Sequence, residues 1–572
     1  MRKKFIQRGD FIPRIVELFP GTTGGNYSWA AFGKDCLAGV IVGIVALPLS
    51  MAFSIAAGGT PAQGLYTAIT AGFCISFLGG SKFQIGGPTG AFVIIIFGII
   101  HEHGMMGLIT ATLLAGIMLV IMGISGLGRF IKFIPYPVTT GFTTGIGVLI
   151  FSQQVKDFLG LQIETSSPAF FEKWMEYGRF FSTFDPLTLG IGVGTILLII
   201  LVRHFFPRIP GAAVGVTVAT LVCFFLGLPV ETVGTRFGGI PASLPMPLLP
   251  AMSWGLVRDV LPDSFTIALL AAIESLLSAV VADSMTGDRH KANMELAAQG
   301  IGNIISALFG GIPATGAIAR TATNIKSGAV SPMAGIIHVL TLVIFILFLA
   351  PAASAIPLTS LSAVLMVVSW DMSNVGRFFR LIRYSPKSDT IVLITTFLLT
   401  IAFDLTFAVE VGVILAVFLF LRRMIEVTDV KPGNDDLITE LAFGDIEKST
   451  VDSIIDLSHK DIEIYEITGP FFFGVADMLQ NTLRKVAKTP QFLILRMRAV
   501  PVIDSTGIAA LESFLIQCRH RKINLMLCEI REHPGKTLEK AGFIGDLGAD
   551  RIIPTLEEAL EKAEEQIHGM KS

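Results

Sequence analysis

From about residue 36 to about residue 422 the chain is a succession of apolar runs divided by short polar or glycine-rich breaks. Taken in order, the runs predict about fourteen membrane-spanning or half-spanning segments. The first seven fall at 36–57, 63–79, 88–100, 105–127, 136–152, 187–203 and 211–227. The second seven fall at 264–284, 295–309, 315–326, 332–350, 356–370, 389–404 and 406–422. Beyond about Met424 the pattern changes to that of a soluble domain, across a polar linker at 431–435. Strands are predicted at 462–467, 492–497 and 524–527, and helices at 475–487, 506–519, 535–541 and 555–566. The expected organisation is a polar N-terminal segment (1–34), a membrane domain (35–423), a linker (424–458) and a small α/β domain (459–568).

Two of the runs are interrupted in the same way. FLGG (Phe77 to Gly80) precedes GPTGA (Gly87 to Ala91), and LFGG (Leu308 to Gly311) precedes PATGA (Pro313 to Ala317). Irregular backbone at bilayer depth survives only where protein or a water-filled cavity surrounds it. Paired interruptions in the two halves of a chain point to a substrate site built from half-helices. Glycine-rich packing contacts between helices are the alternative, but here Pro and Thr recur with the glycines. Thr89 and Thr315 suit N-caps, and Gly90 and Gly316 let a ligand approach the backbone. With Ala91 and Ala317 they would form two helix N-termini facing one space, which favours an anion.

Basic residues test the topology. With the N-terminus inside, the inner loops hold Lys82, Arg129, Lys132, Arg203, Arg208, Arg289, Lys291, Lys326, Arg377, Arg380, Arg383, Lys387, Arg422 and Arg423. The outer loops hold fewer: Lys156, Lys173, Arg179, Arg236 and Arg258. Both termini are therefore expected in the cytoplasm, after a basic lead of Arg2, Lys3, Lys4, Arg8 and Arg14. Two sets of seven follow, because duplicating an odd number of segments inverts the second copy.

Few ionisable residues sit inside the runs, where each is costly unless it faces a partner or a cavity. Glu274, in LLAAIESLLSAVVA, has Ser278 one turn on along the same face. A carboxylate with a neighbouring hydroxyl suits a proton or Na⁺ site; a Glu neutralised by burial or paired with Arg320 is the alternative. Arg320, about one turn beyond Thr315-Gly316, reads as a fixed positive charge beside the anion or as the partner of Glu274. Asp404 and Glu410 lie near segment ends and read as interfacial. His101 and His103 read as solvated, with no further ligand close by in the sequence.

Composition narrows the class. Of 572 residues, 52% are hydrophobic and 15% charged, which makes an integral, multi-pass membrane protein. A net charge of −2 and the lack of a basic face argue against nucleic acid as a partner. The five cysteines show no metal or disulfide spacing, and no cleaved signal peptide is evident. Nothing in the soluble tail assembles a nucleophile with a base, so no enzyme is expected.

Several stretches together resemble the sulfate permease (SulP) family, whose animal members are the solute carrier 26 exchangers. They are AGVIVGIVALPLSMAFSIAAG (Ala38 to Gly58), GLYTAI (Gly64 to Ile69), GGPTGAF (Gly86 to Phe92), the Glu274 region through QGIGN (Gln299 to Asn303), and GGIPATGAIARTATNIKSGAVSP (Gly310 to Pro332). VPVIDSTGI (Val500 to Ile508) resembles the STAS domain shared with bacterial anti-sigma-factor antagonists. The resemblance implies an α-helical polytopic fold of fourteen segments in a 7+7 inverted repeat. A core domain (segments 1–4 and 8–11) would carry the anion between half-helices 3 and 10, and move against a gate domain (segments 5–7 and 12–14). It further implies a homodimer in the cell membrane, with no cofactor beyond a coupling ion, H⁺ or Na⁺, and a STAS domain open to a cytoplasmic protein partner. Glu274 and Ser278 match the position that serves cation coupling in several members, whereas segment 1 has no acid between Leu37 and Gly59. Ser505 matches the serine phosphorylated in the antagonists, with a plain N-cap as the other reading. The expected function is secondary active transport of a small oxyanion, with sulfate or bicarbonate foremost. An uncoupled exchanger or channel, a C4-dicarboxylate symporter and a nucleobase permease of the same fold are the alternatives. The nucleobase group typically has an acid on half-helix 10, where this chain has Arg320, and lacks a STAS domain.

Overall fold

The computed structural model describes residues 11–18, 27–129, 135–163, 167, 169–206, 209–244, 246–247, 252–403, 405–432, 461–472 and 489–571. The helix expected over 475–487, the linker beyond Pro432, and Arg2, Lys3, Lys4, Arg8, Lys132, Arg208 and Asp404 lie outside the described residues. The chain divides into two compact units, residues 1–416 and 417–572.

In the first unit the apolar runs become helices close to their expected bounds: α1 (Trp29–Ala56), α2 (Pro61–Leu78), α3 (Val93–Ile124), α4 (Tyr136–Leu159), α6 (Pro186–Phe205) and α7 (Gly211–Leu226). The second half gives α10 (Leu261–Thr286), α11 (Ala292–Leu308), α12 (Ile318–Lys326), α13 (Met333–Ala353), α14 (Leu358–Ser373), α16 (Lys387–Ala402) and α17 (Leu405–Val427). Half-helix 3 and segment 4, expected as separate runs, are one element, α3, kinked at Gly104 (φ 67°, ψ −173°). The sharp turn needs only this glycine, since a positive φ costs it no Cβ clash.

Four short helices were expected as loop or as ends of longer runs: α5 (Phe170–Arg179), α8 (Val233–Phe237), α9 (Trp254–Asp259) and α15 (Val375–Tyr384). In α5, Tyr177 is buried and donates to the Ser152 carbonyl of α4 at 2.9 Å. This short helix is amphipathic and too polar overall to read as a spanning run, and contact with α4 fixes its buried face.

Packing follows an inverted repeat. α2 packs on α13 as α11 packs on α3, and α1 packs on α13 as α10 packs on α3. These helices and α12 form one group, while α4 with α14 and α16, and α6 with α7 and α14, form another. Small residues allow the close approach that membrane helices use in place of a hydrophobic drive. A Cβ on Gly116 of α3 would sit 2.7 Å from the Gly300 carbonyl of α11, and one on Gly39 of α1 2.7 Å from Ile337 of α13.

Residues expected in the inner loops also converge. Lys82 bonds Glu17 at 3.3 Å and Asp288 at 3.2 Å, and Lys291 bonds Glu17 at 3.6 Å. Arg14 bonds Glu17 at 2.6 Å and Asp288 at 3.4 Å.

The second unit contains a five-stranded sheet in the order β3 (Asp429–Pro432), β4 (Ile462–Thr468), β5 (Phe492–Ala499), β6 (Asn524–Cys528) and β7 (Ile552–Ile553). β3 is antiparallel to β4, and the other pairings are parallel. α18 (Ser505–His520), α19 (Glu532–Lys540) and α20 (Phe543–Leu547) supply apolar residues to one cluster with β5, while α21 (Leu556–Lys571) supplies another with β4 and β5. Both faces are covered, which explains why β5 reads as a continuous apolar run, FLIL, instead of an alternating one. The first residue of α18 is Ser505, but its N-cap is Asp504, whose carboxylate accepts from the Gly507 N–H at 2.8 Å. Ser505 is therefore not a cap, and its side chain is exposed.

Candidate functional site

The two interruptions meet. Gly86–Gly87 (β1) and Thr315–Gly316 (β2) pair as antiparallel strands, Gly86 opposite Gly316 and Gly87 opposite Thr315. The chain following β1 passes through a 3₁₀ turn (Gly90–Phe92) into α3, and the chain following β2 enters α12. Because the strands are antiparallel, the helices leave in opposite directions, with their N-termini facing across the ladder. Mutual pairing also satisfies backbone that bilayer depth would otherwise leave stranded.

Side chains fix this ladder in the core group. Asn303 of α11 donates to the Ala314 carbonyl and accepts from the Ala314 N–H, each at 2.8 Å. Thr67 of α2 accepts from the Ile312 N–H at 2.7 Å. Gln84 donates to the Ser275 carbonyl at 3.0 Å, and Ile85 N–H to Thr321 at 3.1 Å. None of these was singled out for a role in the sequence. QGIGN does contain Asn303, and a buried Asn beside a double-glycine break was the signal that could have found it.

The threonines do not cap. Thr89 makes no cap bond; its hydroxyl donates to the Glu274 carboxylate at 3.0 Å. The residue at the cap of α12 is Ala317, while Thr315 donates to the Ala271 carbonyl at 3.1 Å and shares a hydrogen bond with Ser275 at 2.6 Å. Both threonines are thus gripped by adjacent residues of α10, which outcompetes a local cap.

The amides are rearranged in the same sense. Gly316 N–H donates to Ser275 Oγ at 3.1 Å and Ala317 N–H to the Ile85 carbonyl at 2.9 Å, so both are engaged. The amides of Gly90, Ala91, Ile318 and Ala319 have no acceptor among the described residues. Ile318 and Ala319 are exposed beside the buried ladder. A Cβ on Gly90 would meet Ile150 of α4 at 2.9 Å, Phe53 of α1 at 3.2 Å and Met372 of α14 at 3.3 Å, so this start faces the other helix group. At the first start the free donors are Gly90 and Ala91, as the sequence suggests, whereas at the second they lie one to two residues beyond Ala317, at Ile318 and Ala319.

Glu274 (9% exposed) and Arg320 (2% exposed) are both buried, yet no ion pair joins them among the described residues. Arg320 instead donates to the Pro88 carbonyl at the first interruption, and its Nη1 is buried without a partner among the described residues. Gly87 (φ 149°) makes room for it: a Cβ there would lie 2.6 Å from that nitrogen. Ser278, expected to join Glu274, instead donates to Thr321 at 3.2 Å. Two further buried carboxylates, passed over in the sequence because they sit at segment ends, pin one repeat to the other. Asp35 accepts from the Val330 N–H at 2.7 Å and the Ser331 N–H at 3.2 Å, and Glu295 accepts from those of Gly80 and Ser81 at 2.9 and 3.1 Å.

The arrangement offers free amides, a buried cation and a hydroxyl-bound carboxylate, a set chemically suited to an anion. Comparison with known proteins identifies the family. The model of the sulfate permease family matches residues 32–396, and that of the STAS domain residues 454–559. YvdB of Bacillus subtilis, a provisionally assigned sulfate transporter, is 40% identical over 92% of this chain and 97% of its own. The bicarbonate transporter BicA of Picosynechococcus is 28% identical over 92% of this chain and 94% of its own. The solved transmembrane domain of a cyanobacterial BicA superposes with a TM-score of 0.60 at 29% identity, covering 68% of this chain and 98% of that one. SLC26A9 shares the fold, with a TM-score of 0.81 at 20% identity over 96% of this chain and 93% of that one. The chain belongs to the sulfate permease family of anion transporters, in the form that carries a STAS domain, and its relatives are not enzymes.

Proposed function

We propose that the chain is a proton-coupled secondary transporter of a small oxyanion, sulfate or bicarbonate, working by alternating access. The observation that carries this reading is the 3.0 Å hydrogen bond from Thr89 to Glu274. It ties the start of one half-helix to the buried carboxylate of α10, so the charge on Glu274 acts directly on a residue beside the free amides. A proton on Glu274 removes a negative charge from the neighbourhood of the anion, so each ion raises the other's affinity. The anion lies against the amides of Gly90, Ala91, Ile318 and Ala319, in the field of Arg320. H⁺ is favoured over Na⁺ because Ser278 is committed to Thr321 and Thr89 presents its hydrogen, leaving Glu274 without the oxygen cage that Na⁺ requires.

The working unit is a homodimer with both termini in the cytoplasm. Ser505, exposed at the first turn of α18, is a regulatory phosphorylation site available to a kinase or to a protein partner of the STAS domain.

The test is uptake of radiolabelled sulfate, bicarbonate and succinate into proteoliposomes holding the full chain, with pH and Na⁺ gradients imposed separately. Accumulation of one of the two inorganic oxyanions driven by a pH gradient alone is expected. Accumulation driven by Na⁺ alone would move the coupling to that ion, and flux indifferent to both gradients would leave an uncoupled exchanger.

A further inference from the structure

A second space lies beside the far end of the first half-helix, away from the two starts. It is a cavity of about 350 Å³, room for about ten waters at their liquid volume. Gly58 and Gly59, in the turn between α1 and α2, and Phe97 of α3 line one wall, and Gln154 of α4, Lys173 of α5 and Arg236 of α8 line the other. The first wall belongs to one helix group and the second to the other, so the cavity sits on the seam between them. Its basic residues are those the charge pattern assigns to the outer loops.

The charges are unequally matched. Arg236 bonds Asp157 at 2.9 Å and also pairs with Glu231, so it is neutralised twice. Lys156 donates to the Ile163 carbonyl, which satisfies its hydrogen bonding without cancelling its charge. Lys173 is 5% exposed, and its ammonium makes no hydrogen bond or ion pair among the described residues. Its nearest compensation is the face of Phe97, with the ring centroid 5.3 Å from Nζ. Gln153 adds a buried amide oxygen that likewise lacks a partner among the described residues. A buried ammonium must be paired, hydrogen-bonded or deprotonated, and a cation–π contact replaces only part of its hydration.

We propose that this cavity is a second anion-binding site, an outer vestibule where Lys173 holds a small oxyanion at the seam before it reaches the half-helices. The proposal rests on the transport reading only for the choice of probe. Lys156 of α4 adds positive potential, while Asp157 is occupied by Arg236. Burial lowers the Lys173 pKa to about 8, against a smaller opposing pull from Glu176 of the same helix. Other titratable groups lining the site are His101 of α3 and Tyr177 of α5, with Glu231 beside α8 paired to Arg236. Binding requires the ammonium, so it weakens as external pH rises through about 8.

The experiment compares the full chain with Lys173→Gln, Lys173→Arg and Lys156→Gln, using labelled sulfate in equilibrium binding and labelled sulfate or bicarbonate applied from outside in uptake. The wild type is expected to bind two sulfates per chain and Lys173→Gln one, with Lys173→Arg retaining two. External KM should rise about tenfold in Lys173→Gln, the scale of one lost charged hydrogen bond, while kcat stays within about twofold. If Lys173→Gln fails to fold, Lys156→Gln carries the test, with a smaller rise in KM of the same kind. A single sulfate per chain in the wild type, or an external KM indifferent to both substitutions, overturns the vestibule. A wild type that takes up neither anion speaks against the transport reading, and the number of bound sulfates still decides this one.

Discussion

The two half-helix starts carry nearly the same words, GPTGA and PATGA, and the same backbone, one antiparallel ladder from which two helices diverge. Their side chains do different things. Thr89 reaches a carboxylate, Glu274, while Thr315 reaches a hydroxyl and a carbonyl, those of Ser275 and Ala271. The helix after the first start opens VIIIFGI with no charge, whereas the second opens IARTATNIK and brings Arg320. The shared ladder is the symmetric part, and the asymmetric side chains bring Glu274 and Arg320, the two buried charges beside it, from the second repeat alone. Binding, on this view, is a property of the pair of starts, and coupling is a property of one repeat.

The largest effects should come from the starts themselves, and they should differ in kind. A Cβ at Gly316 would overlap the side chain of Gln84, which is anchored on the Ser275 carbonyl. Gly316→Val should therefore break the ladder, costing about 3 kcal/mol of stability or more, since overpacking and a lost buried hydrogen bond add. Gly90 instead faces Ile150, Phe53 and Met372 of surrounding helices. Gly90→Val should cost clearly less stability than Gly316→Val, because it meets side-chain ends that can shift and not the anchored ladder, and should reduce anion uptake at least a hundredfold. Equal melting losses in the two variants would erase the distinction between a structural and a ligand-facing start.

Next comes the carboxylate. Glu274→Gln keeps the shape and removes the titrating charge, so accumulation against a gradient should vanish while exchange of anion across equal concentrations persists. Thr89→Val should weaken coupling about threefold to tenfold, the net worth of one ordinary hydrogen bond. In the Glu274→Gln background the same change should add little, because the partner charge is gone. Additive losses in the double variant would mean that Thr89 acts on the anion alone.

Arg320 sharpens the comparison from the other side, because it originates in the second repeat and donates to Pro88 of the first. Arg320→Ala removes a buried cation and strands that carbonyl, which should weaken anion affinity about tenfold at a cost near 1.5 kcal/mol. Arg320→Lys should restore the field but not the forked donor geometry, and so recover part of the loss. Affinity untouched in both variants, read by calorimetric titration with sulfate, would reduce Arg320 to a strut.

Much of this was legible in residue order. The apolar runs gave the order of the helices and most of their bounds, though α1 starts and α4 ends seven residues beyond the expected runs, and the repeated double glycine, proline and Thr-Gly-Ala marked the two interruptions that pair. Local rules failed where tertiary partners outbid them. A Thr before a helix reads as a cap, but α10 offered Thr89 and Thr315 better partners in Glu274 and Ser275. Adjacent amides look available from sequence, yet Gly316 and Ala317 are spent on Ser275 and Ile85. Glu274 and Ser278 share a face by helical spacing, and only the approach of Thr321 reveals that the hydroxyl points elsewhere. Lys173 could not be told from a solvated loop lysine, because α5 lies outside the apolar runs and the burial of its face follows from contact with α4.

The smallest expected effect concerns how each repeat is fastened at the inner side. The Asp35 pin uses neutral donors, the amides of Val330 and Ser331 and the hydroxyl of Tyr27 at 2.7 Å. The Gly79–Lys82 side adds an ion cluster, in which Arg14, Lys82 and Lys291 surround Glu17 and the first two also meet Asp288. Burial raises the pKa of Glu17, but Arg14 and Lys82 more than offset it, so the group lies below its ordinary 4.5. Burial also raises Asp288, and bonding to the Arg289 amide together with Arg14 and Lys82 holds it below 3.8. A depressed carboxylate pKa contributes stability that is present above the unfolded value and lost as pH falls through the folded one. The docking of Arg14–Leu18 should therefore hold at neutral pH and weaken below about 4.5, by about 1 kcal/mol, as partly exposed pairs do. Hydrogen exchange at Arg14–Leu18 reads this directly. Glu17→Gln should produce the acid behaviour at neutral pH, and about 0.5 M salt should mimic it in part at the cluster while sparing the Asp35 pin. Protection at Arg14–Leu18 that survives both acid and Glu17→Gln would show that the cluster adds nothing to the fastening of that side.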